Sequence, residues 1–99
     1  MENVSRALDA ANNFLREDCG KEITLNELSN LVAVYLHGGS GMAFTARKLG
    51  ISSAGMTGAM DSLEYKGLAI RMKDVDRRKF RAAMTERGMI VLRIASDLL

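Results

Sequence analysis

A chain of 99 residues, 47% hydrophobic and 26% charged, has the composition of one globular domain and too little charge to stay unfolded. The longest uncharged apolar run, residues 31–36, is too short to span a bilayer; the single cysteine, Cys19, excludes an intrachain disulfide; and the polar start Met1-Glu2-Asn3 does not read as a secretory leader, so a reduced cytoplasmic setting is expected. The formal net charge of +2 is unevenly placed: residues 1–65 carry five Lys/Arg against eight Asp/Glu, and residues 66–99 carry nine against four.

The first helix is expected over 3–18, where Val4, Ala7, Leu8, Ala11, Phe14 and Leu15 recur with a helical period and Gly20 provides a stop. Thr24-Leu25-Asn26-Glu27 is a capping box: the Thr hydroxyl accepts from the amide three residues on, and the Glu reaches back to the Thr amide. It opens a second helix through Leu28, Leu31, Val32, Tyr35 and Leu36, which Gly38-Gly39 should end, since left-handed conformations cost little there. A short third helix fits Met42–Leu49, closed by Gly50. Ile51-Ser52-Ser53 turns the chain and caps a fourth helix over 54–66. Met56, Ala59, Met60 and Leu63 form its inner face, and Ser53, Ala54, Thr57, Gly58 and Asp61 its outer face. Two helices joined by a short Gly-containing turn make a helix-turn-helix over about 42–66.

The period then changes from 3.6 to 2. Leu68, Ile70 and Met72 are expected to face the core, with Arg71 and Lys73 outward; on the return strand Phe80, Ala82 and Met84 face inward, with Lys79 and Arg81 outward. These strands form a wing over about 68–84, with seven Lys/Arg and two Asp/Glu between Lys66 and Arg81. Thr85 caps a last helix over 86–99 whose apolar positions, among them Met89, Ile90, Leu92, Ile94, Leu98 and Leu99, are more than one core-facing stripe needs. The excess implies a second, twofold-related copy to cover it; Leu8, Leu15, Ile90, Ile94 and Leu98, on the terminal helices 3–18 and 86–99, are the candidate residues for that contact.

The expected architecture is a single domain over 1–99, mainly α with a small antiparallel β-hairpin: an α+β winged helix-turn-helix of about five helices and a two-stranded wing. A cationic hairpin beside such a helix pair makes duplex nucleic acid the first partner to consider, although Lys and Arg on a hairpin also guard its edges against aggregation. Arg71, Lys73, Arg77, Arg78, Lys79 and Arg81 can neutralise phosphates; Ser52, Ser53 and Thr57 can meet phosphates or base edges; and Gly58, like Gly55, suits a close approach of the helix backbone, either to DNA or to a neighbouring helix.

From about 24 to 88 the chain resembles the MarR-type winged-helix transcription regulators. The strings that carry the resemblance are Lys48-Leu49-Gly50-Ile51-Ser52, Leu63-Glu64-Tyr65-Lys66-Gly67-Leu68 followed by Arg71, Asp76-Arg77-Arg78, and Met84-Thr85-Glu86-Arg87-Gly88. The resemblance implies that the fourth helix is a recognition helix for the major groove, that Arg78 is the wing arginine of the minor groove, and that Asp76 is its steadying acidic partner. It also implies a homodimer built on the terminal helices and raises a small aromatic effector. The fourth helix departs from the family in having no Lys or Arg between Lys48 and Lys66, so base discrimination should be modest.

No enzyme is expected: there is no Ser-His-Asp set, no Gly-rich phosphate loop and no metal motif. His37 is alone, and Cys19 has acidic neighbours, Glu17 and Asp18, that disfavour a thiolate, so neither a metal nor a cofactor is implied. Met56, Met60, Met72 and Met84 read as core packing. The function expected is a sequence-modest, DNA-binding transcription regulator. The alternative is a protein-interaction module or accessory protein on the same fold, suggested by the small, uncharged positions Ser53, Ala54, Thr57 and Gly58 of the fourth helix.

Overall fold

Helix α1 (Glu2–Cys19) buries Ala7, Ala11 and Leu15, one position per turn, and packs this stripe against the last helix, α5 (Glu86–Asp97), which contributes Val91 and Ala95. The three alanines let the two helices approach closely. The structure, a computed structural model, describes residues 2–76 and 79–99. After α1 the backbone amide of Gly20 donates to the carbonyls of Leu15 and Arg16, 3.1 Å each. The side chain of Asn12 then grips the next segment from both sides: its Nδ2 donates to the Ile23 carbonyl at 3.0 Å, and its Oδ1 accepts from the Ile23 amide at 2.7 Å.

Helix α2 (Leu25–His37) starts at the expected capping box, with Thr24 Oγ1 accepting from the Glu27 amide at 3.1 Å and Glu27 Oε1 accepting from the Thr24 amide at 2.9 Å. Only part of its expected apolar stripe is inside. Leu28, Leu31, Ala33 and Val34 are buried, whereas Val32, Tyr35 and Leu36 are 41%, 54% and 62% exposed.

The chain does not turn left-handed at Gly38-Gly39, as expected, but continues into a short 3-10 turn, Gly38–Ser40, with Gly38 at φ −58°. Gly38 is needed for another reason. A Cβ there would lie 2.5 Å from the Ala82 carbonyl oxygen, so only hydrogen at this position lets the hairpin pass.

Helices α3 (Met42–Leu49) and α4 (Ser53–Tyr65) form the helix-turn-helix, with Gly50 at φ 69° ending the first and Ser52 Oγ capping the second by accepting from the Gly55 amide at 3.0 Å. Met56, Met60 and Leu63 anchor α4 in the core.

Strands β1 (Ala69–Lys73) and β2 (Phe80–Met84) pair antiparallel, with Ala69 opposite Met84, Arg71 opposite Ala82 and Lys73 opposite Phe80. This register corrects the expected faces of β1. Ala69 is fully buried and Ala82 nearly so, so the core side of the hairpin carries Ala69, Arg71 and Lys73 against Phe80, Ala82 and Met84. Ile70 and Met72 face outward, 45% and 40% exposed, opposite Ala83 and Arg81. The sequence misleads here because Leu68, fully buried, belongs to the turn before the strand, and one residue of offset exchanges the two faces of a strand. Met72 is therefore not core packing, and the basic side chains lie on both faces of the hairpin.

Thr85 joins the hairpin to α5 with one hydroxyl: Oγ1 donates to the Gly67 carbonyl at 2.6 Å and accepts from the Gly88 amide at 3.0 Å. At Gly88 a Cβ would sit 2.1 Å from the Leu68 carbonyl oxygen, so α5 and the start of β1 touch backbone to backbone. All five helices and both strands contribute to one cluster of buried apolar side chains. Leu15 lies inside this cluster with no exposed surface, which removes it from the expected intermolecular interface; Leu8, Ile90 and Ile94 are half-buried, and Leu98 is 40% exposed. Among the described residues no helix is long and apolar enough to cross a membrane.

The two close backbone approaches lead to a test by thermal unfolding. Gly38→Ala and Gly88→Ala should each lower stability by about 1–3 kcal/mol. Gly39→Ala, whose Cβ meets nothing within 4 Å, should change it by less than about 0.5 kcal/mol.

Candidate nucleic-acid interface

The outward stripe of α4 holds Ser53, Ala54, Thr57, Gly58 and Asp61, all exposed. Its polar groups are unequal. Ser52 Oγ is engaged as the helix cap, and Thr57 Oγ1 donates to the Ser53 carbonyl at 3.1 Å, which leaves the Thr57 methyl and the Ser53 hydroxyl to face outward partners. A Cβ on Gly58 would meet nothing within 4 Å, so no neighbouring helix requires a glycine there.

The cations of the hairpin also divide. Lys73 and Lys79 are exposed and, among the described residues, have no carboxylate within ion-pair distance. The turn that carries them is closed by the Asp74 amide donating to the Lys79 carbonyl at 3.0 Å and by the Lys79 amide donating to the Asp76 carbonyl at 2.9 Å. Arg81 is drawn back toward Asp74, with Nε 3.8 Å from Oδ1. Arg71 does not project outward at all: its Nη2 donates to Asp61 and its Nε to Glu64, both on α4. Its charge is compensated, which weakens its claim as a phosphate contact. Arg77 and Arg78 lie outside the described residues.

Sequence reading passed over a second basic site. Arg47 and Lys48, in the last turn of α3, are exposed, have no carboxylate partner among the described residues, and lie 5.8 and 5.3 Å from the Phe44 ring centroid. The signal was available: the helix before a recognition helix crosses the phosphate backbone in helix-turn-helix complexes.

Two ion pairs fix the C-terminal end of α4. Lys66 Nζ donates to both carboxylate oxygens of Glu27, at 2.6 and 2.7 Å, and Ser62 Oγ donates to the same group. Arg87 Nε donates to Asp18 at 2.6 Å, while its Nη1 donates to the Lys66 carbonyl at 3.1 Å. Burial pushes the Glu27 carboxyl pKa upward, but the hydrogen bonds from Lys66, Ser62 and the Thr24 amide outweigh it and hold the group at about 2, against an ordinary 4.5.

On the other side of the molecule, α2 and α5 enclose an open apolar groove of about 420 Å³. Val32, Tyr35, Leu36, Met89, Leu92 and Leu99 line it, and Met89 is 38% exposed. Among the described residues no group of three or more His, Cys, Asp or Glu is arranged to hold a metal ion.

The same arrangement of helices and hairpin occurs in solved structures. FabT of Streptococcus pneumoniae, in complex with DNA, superposes with a TM-score of 0.73 at 20% identity, over 94% of this chain and 66% of that one. A MarR-like transcriptional regulator of Thermotoga maritima is 33% identical with a TM-score of 0.64, over 76% of this chain and 54% of that one. In fold the chain is a MarR-type winged helix-turn-helix. The M. tuberculosis regulator MosR, also in complex with DNA, shares this fold at 24% identity and a TM-score of 0.68, over 98% of this chain and 68% of that one. The chain thus spans between about half and about two thirds of the length of these three proteins. No protein-family model and no curated protein sequence matches it.

Glu27 supplies a pH test of how α4 is held. Its folded pKa lies below the unfolded one, so its contribution to stability is present above pH 4.5 and is lost as the pH falls toward 2. Glu27→Gln should lower stability near neutral pH by roughly 1–2 kcal/mol, allowing for solvent screening. The gap to the parent chain should close as unfolding is followed from pH 5 down toward pH 2.

Proposed function

We propose that the chain binds duplex DNA as a homodimeric transcription regulator of MarR type, with α4 along the major groove and the hairpin beside the flanking minor groove. The observation that carries this reading is the junction of two surfaces: an exposed α4 stripe stripped to Ser53, Ala54, Thr57 and Gly58, and a hairpin whose Lys73 and Lys79 are exposed and uncompensated. Arg47 and Lys48 add a third contact on the phosphate backbone. The DNA complexes of FabT and MosR, which share the fold, support the reading.

Within it, Arg78 enters the minor groove and reads its width and potential rather than a base code, with Asp76 steadying the turn. Base discrimination is modest, because α4 offers methyl and hydroxyl groups but no cation, and Asp61 limits how deeply its C-terminal half can enter. A second copy would cover the apolar surface that α5 and α2 leave exposed, with Leu98, Ile90 and Ile94 joined by the groove residues Tyr35 and Leu36. Two recognition helices would then reach successive major grooves, and the operator would be close to palindromic. The groove is also the place with room for a small aromatic effector. Regulation by binding, not catalysis, is the activity that this set of residues supports.

The small, uncharged positions Ser53, Ala54, Thr57 and Gly58 of α4 and the outward Ile70 and Met72 favour one other reading, a protein-interaction module with little affinity for DNA. Titration of a labelled random duplex at low and moderate salt separates the two: salt-sensitive binding supports the first, and no binding at low salt supports the second. In the first case Arg78→Ala should weaken binding to every sequence and flatten the dependence on salt. Replacing Lys73 and Lys79 together by Gln removes four contacts from a dimer and should reduce the slope of log K against log salt by about 3.6. Gly58→Ala should raise thermal stability by up to about 1 kcal/mol and yet weaken duplex binding, because the added methyl keeps the α4 backbone away from the groove.

A further inference from the structure

The turn between α4 and β1 is only three residues long, Lys66 to Leu68, and it determines how the recognition helix and the wing are angled. Its first residue is tied twice to the body of the molecule: the Lys66 side chain to Glu27 of α2, and the Lys66 carbonyl through Arg87 to Asp18 of α1. Neither tie reaches the hairpin. Thr85, just after β2, donates to the Gly67 carbonyl within the turn, and one side chain of β1 reaches α4 itself. Arg71, in the middle of β1 and on the hairpin's core side opposite Ala82, sends its guanidinium back across the turn to Asp61 and Glu64, one helical turn apart on α4. Its side chain is 27% exposed, Glu64 is 32% exposed and Asp61 is 61% exposed, so the pair sits at the rim of the cleft between helix and hairpin. A guanidinium is rigid, planar and able to donate to two carboxylates at once, whereas an ammonium is a single point. Among the described residues no other ion pair joins α4 to the hairpin.

Resting on the DNA-binding reading above, we propose that Arg71 is a positioning residue: it latches the wing to the recognition helix and sets their relative angle, so that both can engage one duplex together. It does not contact phosphate itself. The sequence alone placed Arg71 among the phosphate contacts, and the two roles predict opposite results.

The first measurement is duplex affinity for the variant Asp61→Asn with Glu64→Gln. This change adds two net positive charges close to the DNA. A phosphate-contacting Arg71, freed of its carboxylates, would bind DNA more tightly. The latch requires weaker binding, by at least about fivefold. Arg71→Gln should weaken binding to a similar extent while leaving the salt slope unchanged, Arg71→Lys should fail to restore it, and combining Arg71→Gln with the carboxylate variant should cost little more than either alone. Tighter or unchanged binding by the carboxylate variant, or a salt slope reduced by Arg71→Gln, overturns the proposal.

The second measurement needs no DNA, so it stands even if the duplex titration shows no binding and the functional reading falls. Spin labels at Thr57→Cys and Val75→Cys, in a Cys19→Ser background, report the separation of α4 and the hairpin. Arg71→Gln should broaden that distance distribution while thermal melting shows the chain still folded. An unchanged distribution overturns the latch whatever the DNA result.

Discussion

The contact on which the rest of the structure depends is the carboxylate of Glu27. It closes the capping box of α2 through Thr24, and the same two oxygens receive Ser62 and Lys66 from the end of α4. One side chain thereby starts one helix and fixes the far end of another. Charge-assisted hydrogen bonds of this kind are stronger than neutral ones, and Glu27 and Lys66 are only 13% and 17% exposed, where water screens them least. With α4 held at its end by charge and along its length by Met56, Met60 and Leu63, the outward stripe has no freedom to rotate.

The electrostatics of the basic half of the chain are more selective than its composition suggests. Of the cations between Lys66 and Arg81 that the structure describes, Lys66 and Arg71 are committed to carboxylates and Arg81 leans on Asp74. The two lysines at the ends of the turn, Lys73 and Lys79, retain uncompensated charge, and Arg47 and Lys48 on α3 extend it to a second element. Arg71 acts as a structural fork, donating to two carboxylates at once, in keeping with the planar geometry of a guanidinium.

Much of this was legible in the sequence because the relevant signals are local. The Thr24–Glu27 box, the Ser52 and Thr85 caps, the stop at Gly50 and the change of period after Lys66 each need only a few neighbouring residues to be read, and each is found where expected. What failed depended on distant partners. The face of β1 was inverted because nothing nearby says that Leu68 precedes the strand. Arg71 looked like its basic neighbours until Asp61 and Glu64, ten and seven residues earlier, were brought beside it. Gly38 carried the signal of a turn residue but is constrained by Ala82, far along the chain. Leu15 shared the periodicity of Leu8, and only packing reveals that one is sealed and the other half-covered.

The outward placement of Met72 and Met89 has a chemical consequence. Met56 and Met60 are sealed in the core, but the thioethers of Met72 on the hairpin and Met89 in the α2–α5 groove are open to solvent. Among the described methionines, peroxide would reach these two first and convert each from an apolar group to a polar sulfoxide, while Met56 and Met60 stayed sealed. Oxidative damage to this molecule would begin by wetting its apolar outer surfaces, not by loosening its centre.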